Sequence, residues 1–184
     1  MARPAAPARA GRGNIVPAVR RLLPVVGIGN GDRWMRSVRR PDEWCDLLER
    51  AERDGVKRAL EGQSEFVPRE EILLPDRQSA ELAAAARRNM STIPLEYVDE
   101  TIQFNPEWVV DRIGPQPVLF IATDDDRLVP PDESAQLYAR AGEPKKLVVL
   151  KGYGHYEVYL EPAFREVMQA TVAWYQEYLP ARGR

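Results

Sequence analysis

One aspartate and one histidine in the last third of the chain are the residues whose types and order favour catalysis. Asp126 lies in a turn after the apolar run 117–122, and His155 ends a Gly-Tyr-Gly-His tetrapeptide after the apolar run 146–150. A carboxylate that accepts a hydrogen bond from one imidazole nitrogen fixes the tautomer of the ring and leaves the other nitrogen free as a general base. The two residues therefore predict a site of proton transfer.

Three short apolar runs and two helical patterns would bring this pair together. The runs 22–28, 117–122 and 146–150 are typical of buried strands, and 132–141 and 162–179 are typical of helices. Their alternation predicts an α/β fold with parallel strands. Adjacent strands lie about 4.8 Å apart and parallel strands end at the same edge of a sheet, so the side chains that follow them meet there. The apolar stripe predicted for the last helix consists of Phe164, Val167, Met168, Thr171, Tyr175 and Tyr178.

The region 42–113 is predicted to be mostly helical. Its first helix begins at Pro41 and ends at Gly62, a second covers 79–90, and shorter helical pieces follow. The apolar positions of the first helix, three or four residues apart, are Trp44, Leu47, Leu48, Ala51, Val56, Ala59 and Leu60.

Three segments of the last third carry a resemblance to a known family. They read PVLFIATDDDRLVPPDESAQLY, PKKLVVLKGYGHYEVY and FREVMQATVAWYQEYL. They resemble the C-terminal part of the α/β-hydrolase superfamily, nearest to its dienelactone-hydrolase-like and prolyl-oligopeptidase-like esterases and peptidases. The resemblance implies that Asp126 is the acid and His155 the base of a catalytic triad, in the chain order of that fold. It also implies a partial α/β-hydrolase fold with a short parallel sheet, flanking helices, a helical cap insertion over 42–113 and a C-terminal core over 115–180.

The nucleophile of such a triad has no counterpart in this sequence. The family places it in a Gly-x-Ser-x-Gly elbow upstream of the matched region, and the chain contains no such motif. The sequence is therefore interpreted as a truncated serine hydrolase for ester or amide bonds, with acid and base present, and it is expected to be inactive alone. The serines, none of them in an elbow context, are Ser37, Ser64, Ser79, Ser91 and Ser134.

Asp32, Arg33 and Trp34 are predicted to bind the substrate. They belong to the segment 29–34, which leaves the same edge of the predicted sheet. By resemblance, the substrate is a small-molecule ester or amide. The acidic run 124–126 also offers the carboxylates that Mg²⁺ prefers, which would suit a metal-dependent phosphohydrolase. No second acidic cluster completes such a site, so a solvated turn is favoured and neither a metal nor a cofactor is expected.

The composition argues against several other classes of protein. The 184 residues include 26 Lys and Arg against 28 Asp and Glu, and this net charge of −2 argues against a nucleic-acid partner. No apolar run reaches the ~20 residues of a membrane span. Cys45, interpreted as a small core residue, is the single cysteine, which excludes an intramolecular disulfide and favours a cytoplasmic location. Residues 1–21, rich in arginine and alanine and without an acidic residue, are expected to be a disordered lead-in to one domain over 22–184.

A second interpretation of the sequence is non-catalytic. About three core strands are recognisable, fewer than the five or six of an average sheet. An exposed edge strand would then pair with another chain or with a second copy of this one. On this interpretation the chain is a remnant of a hydrolase or an interaction module.

Overall fold

The strands and helices of the last third begin and end within one residue of their predicted positions. The computed structural model describes residues 22–85 and 91–179, and the predicted lead-in 1–21 lies outside these ranges. The last third contains β3 (Val118–Thr123), α6 (Pro131–Arg140), β4 (Lys145–Leu150), a 3₁₀ helix (His155–Tyr159) and α7 (Ala163–Tyr178). The preceding region contains α1 (Gly31–Ser37), α2 (Pro41–Glu61), β1 (Phe66–Pro68), α3 (Arg69–Ile72), α4 (Arg77–Ala85), β2 (Thr92–Pro94), α5 (Tyr97–Gln103) and two 3₁₀ helices, Pro106–Trp108 and Val110–Ile113.

The central sheet is parallel, as the alternation of strands and helices predicts. β3 pairs with β4 from Val118 opposite Lys145 to Thr123 opposite Leu150. Every residue of β3 is buried because helices cover both faces of the sheet, which explains the apolar run from Val118 to Ala122. The prediction of an α/β fold is therefore confirmed.

Residues 22–26 form an irregular third strand on the free side of β3. Leu22 and Val25 make isolated parallel bridges to Val118 and Ile121. Pro24 accepts a hydrogen bond from the N–H of Ile121 but has no N–H of its own to donate, so the ladder is interrupted at this residue. The strand predicted over 22–28 thus exists in its first part as a broken edge strand.

Two apolar layers enclose the sheet. On one face, α6 contributes Leu137 to a cluster with Val118 and Phe120. On the other face, α7 contributes Trp174 to a cluster with Ile121 and other residues of the sheet. The alternation of β3 side chains between the two clusters is the two-residue period of a strand.

The helices before β3 pack on a cluster of their own. Met35 of α1, Trp44 and Leu47 of α2 and Val98 of α5 are all buried in it. β1 and β2 form a short antiparallel pair beside these helices, which the sequence did not predict. α2 ends where predicted, at Gly62, whose φ of 74° lies in the left-handed region that glycine adopts at little cost.

The predicted burial of α2 is wrong in its second half. Val56 and Leu60 are 58% and 81% exposed, whereas Asp54 is buried. The buried positions of α2 recur every three or four residues from Trp44 onwards, and this spacing places position 54, not 56 or 60, on the buried face. The prediction that Cys45 is a core residue is also wrong, because Cys45 follows the buried Trp44 by about 100° of rotation and is exposed.

The predicted stripe of α7 is only partly buried. Val167 is buried, but Phe164 and Met168 are 42% and 41% exposed. The side of the helix that packs on the sheet carries Ala163 and Trp174 instead. Apolar residues occupy more than one side of this helix, so periodicity alone does not determine which side faces the sheet. Within the described ranges, every helix is too short or too polar to cross a membrane.

Candidate active site

The turn after β3 holds the Asp126 carboxylate in a fixed position. One oxygen, Oδ1, accepts the backbone N–H of Leu128 at 2.9 Å and that of Val129 at 2.7 Å. A side chain that binds the backbone two and three residues further on is a common way to stabilise a tight turn. The side chain of Asp126 is 1% exposed. Its second oxygen, Oδ2, therefore points in a direction set by the turn.

His155 meets that second oxygen from the end of β4. Its Nδ1 lies 2.8 Å from Oδ2 of Asp126. The chain leaves β4 through Gly152, whose φ of 77° makes the turn possible, and His155 is the first residue of the following 3₁₀ helix. The Tyr156 ring stands edge-on to the imidazole, with 5.0 Å between the ring centroids. The ends of two neighbouring parallel strands thus bring the two residues together.

The hydrogen bonds of Asp126 indicate which imidazole nitrogen carries the proton. The carboxylate acts as an acceptor towards two backbone N–H groups, so it is placed to accept from Nδ1 as well. In the neutral ring Nε2 is then the unprotonated nitrogen. Within the described residues, Nε2 of His155 has no hydrogen-bond partner. It is available to take up a proton.

The two aspartates before Asp126 have other partners. Asp124 accepts the N–H of Gly152 at 2.6 Å and lies 3.4 Å from Nζ of Lys151. The hydrogen bond from Gly152, more than the nearby Lys151, holds the pKa of Asp124 below its usual value. Asp125 lies 3.5 Å from Arg127. The three carboxylates do not converge, and residues 22–85 and 91–179 contain no group of three or more His, Cys, Asp or Glu side chains placed to hold a metal ion.

A large apolar cavity lies beside His155. It has a volume of about 1500 Å³ and extends from the histidine between the sheet and the helices before β3. Its lining includes Leu23 and Phe120 from the sheet, Trp34 from α1 and Tyr156 next to the histidine. A cavity of this size is large enough for a small-molecule ligand.

The three residues predicted to bind the substrate have different positions. Trp34 lines the cavity, but Asp32 and Arg33 are absent from its lining. Asp32 lies on the surface and pairs with Arg36 at 3.2 Å. Arg33 forms a hydrogen-bonded ion pair with Glu133, with 2.7 Å between Nε and Oε1.

A second carboxylate, Glu107, also binds the Arg33 guanidinium. Both Glu107 and Glu133 are buried, at 5% and 2% exposure. The hydrogen bonds that Arg33 donates to Glu107 and Glu133 hold the pKa of Arg33 above its ordinary value despite partial burial. The two glutamates were not predicted, because nothing in the local sequence indicates ion pairs between residues 74 and 100 positions apart.

No serine of the chain is bonded to His155. All five serines lie within the described ranges. Ser79 and Ser91 line the cavity, but the Ser79 hydroxyl is bonded to Asp76 at the start of α4. The remaining three are Ser37, which bonds to Trp34, Ser64, which bonds to Asp54, and the buried Ser134.

Solved structures of similar fold cover most of this chain. The α/β hydrolase GrgF from Penicillium sp. sh18 superposes with a TM-score of 0.65 at 21% identity, over 88% of this chain and 56% of that chain. A hypothetical protein from Pseudomonas aeruginosa gives a TM-score of 0.66 at 16% identity, over 88% and 54%. The monoacylglycerol lipase of Paleococcus ferrophilus gives 0.57 at 16% identity, over 87% and 60%.

These likenesses concern the fold. No model of a protein family matches the sequence, and no curated protein does. The chain spans between 54% and 57% of the length of the first similar structures. With its short parallel sheet and flanking helices, the protein has a partial α/β-hydrolase fold.

Proposed function

We propose that this chain supplies the acid and the base of a serine hydrolase that cleaves ester or amide bonds. The observation that carries the proposal is the 2.8 Å contact between buried Asp126 and Nδ1 of His155, which leaves Nε2 without a partner among the described residues, beside a large cavity. The order of acid before histidine agrees with that fold. The nucleophile belongs to a polypeptide segment outside residues 1–184.

The proposed reaction has two steps, and His155 transfers one proton in each. A serine hydroxyl attacks the carbonyl carbon of the substrate while its proton passes to Nε2 of His155. The imidazolium then gives this proton to the departing alcohol or amine, and an acyl-serine remains. Water then attacks the acyl-serine while its proton passes to Nε2 of His155, and the imidazolium returns this proton to the serine oxygen as the carboxylic acid leaves. Throughout, Asp126 holds the ring by Nδ1 and stabilises its positive charge.

The cavity suggests the kind of substrate. Its lining is largely apolar, which suits a small ester or amide with an apolar acyl or alcohol group. The ring of Trp34 lies where it would contact such a group, whereas Asp32 and Arg33 would not reach it. We further propose, from the single cysteine and the balanced charge, a cytoplasmic protein without a nucleic-acid or membrane partner.

The proposal is tested with and without the missing nucleophile. Residues 1–184 alone are expected neither to hydrolyse short p-nitrophenyl esters above background nor to react with a fluorophosphonate probe. The chain joined to the segment encoded immediately upstream is expected to do both, at a serine of that segment, and to lose hydrolysis with His155→Ala. Stoichiometric labelling of a serine within residues 1–184 would contradict the proposal.

A second candidate function, an interaction module, is favoured by the apolar surface of α7. Phe164, Met168 and Val172 follow one another at four-residue intervals and are each more than 40% exposed. Residues 22–26 also use only one edge, towards β3, within the described ranges. Apolar patches and open sheet edges are the places where chains associate.

Sedimentation of the purified chain distinguishes this candidate. An interaction module is expected to self-associate, and the double substitution Met168→Lys with Val172→Lys is expected to shift it towards monomer. Gln169→Lys, on an exposed position of the same helix, is the control for added charge. A wild-type chain that is a single monomeric species at all concentrations would argue against this function.

A further inference from the structure

Trp34 is joined to Asp126 through a single peptide group. The indole Nε1–H of Trp34 donates to the carbonyl oxygen of Leu128 at 2.6 Å. The N–H of the same peptide group is that of Val129, and it donates to Oδ1 of Asp126 at 2.7 Å. Because a peptide group is planar, an indole that fixes the carbonyl oxygen also fixes the direction of the N–H. The position of the Trp34 ring therefore helps to set the position of the Asp126 carboxylate.

The carboxylate extends this series of hydrogen bonds to His155. Its Oδ1 receives the N–H of Val129, and its Oδ2 lies 2.8 Å from Nδ1 of the imidazole. In a series of hydrogen bonds each bond polarises the next and strengthens it. The bond from Trp34 therefore strengthens the N–H donor that orients Asp126, and Asp126 in turn orients the ring of His155.

Glu133 fixes the helix that carries Trp34. This carboxylate is 2% exposed, and its Oε2 accepts the N–H groups of Gly29 at 2.8 Å and Asn30 at 2.9 Å. Its Oε1 binds Nε of Arg33, the residue before Trp34, at 2.7 Å. A Cβ atom at Gly29 would lie 3.0 Å from the carbonyl oxygen of Glu133, so glycine permits the close approach. Glu133, which lies in α6, thus links the start of α1 to α6.

We infer that Trp34 is a positioning residue for the acid–base pair. Its indole N–H, acting through the peptide group between Leu128 and Val129, holds Asp126 where it binds Nδ1 of His155. The inference rests on the proposed function for its catalytic meaning. It gives the nitrogen of Trp34 a role separate from that of the ring, which lines the cavity.

His155 is the only histidine of the chain, so the ¹⁵N resonances of its ring can be observed without overlap from other imidazoles. The experiment compares these resonances in the full ¹⁵N-labelled chain at neutral pH for the wild type, Trp34→Phe and Asp126→Asn. Phenylalanine keeps an aromatic ring against the cavity but removes the N–H donor. Trp108→Phe is the matched control, since Trp108 is 68% exposed.

The wild type is expected to carry its proton on Nδ1. Asp126→Asn keeps an oxygen for the two backbone N–H groups and turns an amide N–H towards the ring, so the proton should move to Nε2. Trp34→Phe is expected to lower the ratio of the Nδ1–H to the Nε2–H form by about fivefold, the usual effect of one net hydrogen bond. Trp108→Phe should match the wild type.

The outcomes separate this inference from the proposed function. If Asp126→Asn shifts the proton and Trp34→Phe does not, the positioning role is wrong and the acid–base pair stands. If neither substitution shifts it, the pair itself is refuted. Should Trp34→Phe fail to fold, the reciprocal measurement decides: the indole N–H resonance of Trp34 is expected to move in Asp126→Asn while that of Trp108 stays, and an unmoved Trp34 resonance would overturn the inference.

Discussion

Asp126 is expected to matter more to the stability of the fold than its partner His155. Asp126→Ala removes the acceptor of two backbone N–H groups, those of Leu128 and Val129. A buried donor left without an acceptor costs about 1–3 kcal/mol. The N–H of Val129 is buried and bears this cost fully, whereas the partly buried N–H of Leu128 can bind water. Together with about 1 kcal/mol for the lost hydrogen bond to His155, the total is a loss of about 2–4 kcal/mol in the free energy of unfolding.

His155→Ala removes a single hydrogen bond and leaves Asp126 with both backbone donors. Its cost is expected to be about 1 kcal/mol, the net value of one hydrogen bond. For a chain of this length 1 kcal/mol corresponds to roughly 2–4 °C in Tm, so Asp126→Ala should lower Tm by roughly 4–16 °C and His155→Ala by roughly 2–4 °C. The difference follows from the geometry of the turn and does not depend on any catalytic activity.

Urea unfolding followed by circular dichroism measures both costs. Asp125→Ala is the control, because the Asp125 side chain is 66% exposed and should cost no more than about 0.5 kcal/mol. If His155→Ala proved as destabilising as Asp126→Ala, the imidazole rather than the turn would be the main structural partner of the carboxylate. The reasoning from the two backbone donors would then be refuted.

Substitutions at three further positions test other buried polar groups. Burial alone would raise the pKa of Asp54, but hydrogen bonds, first that from the N–H of Glu65, lower this pKa below its ordinary value of 3.8. The stability that Asp54 contributes is therefore present above pH 3.8 and is lost as the pH falls through the lowered pKa. In urea unfolding at pH 7, 4 and 3, Asp54→Asn should therefore lose less stability on acidification than the wild type, and an equal loss would contradict this. Glu133→Ala should cost about 2 kcal/mol in the same assay at pH 7, less than for a fully buried ion pair because the Arg33 side chain is 38% exposed. Glu133→Gln should cost less than Glu133→Ala because glutamine keeps an acceptor for the backbone N–H groups. Thr123→Val should raise Tm or leave it unchanged, because the Thr123 hydroxyl is buried without a hydrogen-bond partner, and a fall in Tm of several degrees would reveal a bond to that hydroxyl.

The sheet and its helices could be predicted because burial on both faces leaves a clear trace in the sequence. β3 is buried at every position, and all its residues except the last, Thr123, form one uninterrupted apolar run. The three-residue strands β1 and β2 leave no such trace, since each ends in a proline and only Val67 is fully buried among their residues. Such short pairs depend on the helices around them rather than on their own pattern.

The candidate site likewise has contacts that could be predicted from the sequence and contacts that could not. The contact between Asp126 and His155 could be predicted because each residue follows a recognisable strand and parallel strands end at one edge. The bond from Trp34 could not, because its acceptor is a backbone carbonyl, which every residue possesses. The burial of Asp54 could not be predicted either, since two of its three partners, Ser64 and Glu65, lie beyond the end of α2, after a turn.

The hydrogen bond between Asp124 and Gly152 affects how far the geometry of the site depends on the rest of the chain. It fastens the segment after β3 to the segment after β4, two residues before Asp126 and three before His155. The pair therefore lies within one strand–helix–strand unit, and the indole of Trp34 is hydrogen-bonded to the Leu128–Val129 peptide group from outside this unit. Such a unit carries its own geometry, so the proposed acid–base pair can keep its shape independently of the segment that would supply the nucleophile.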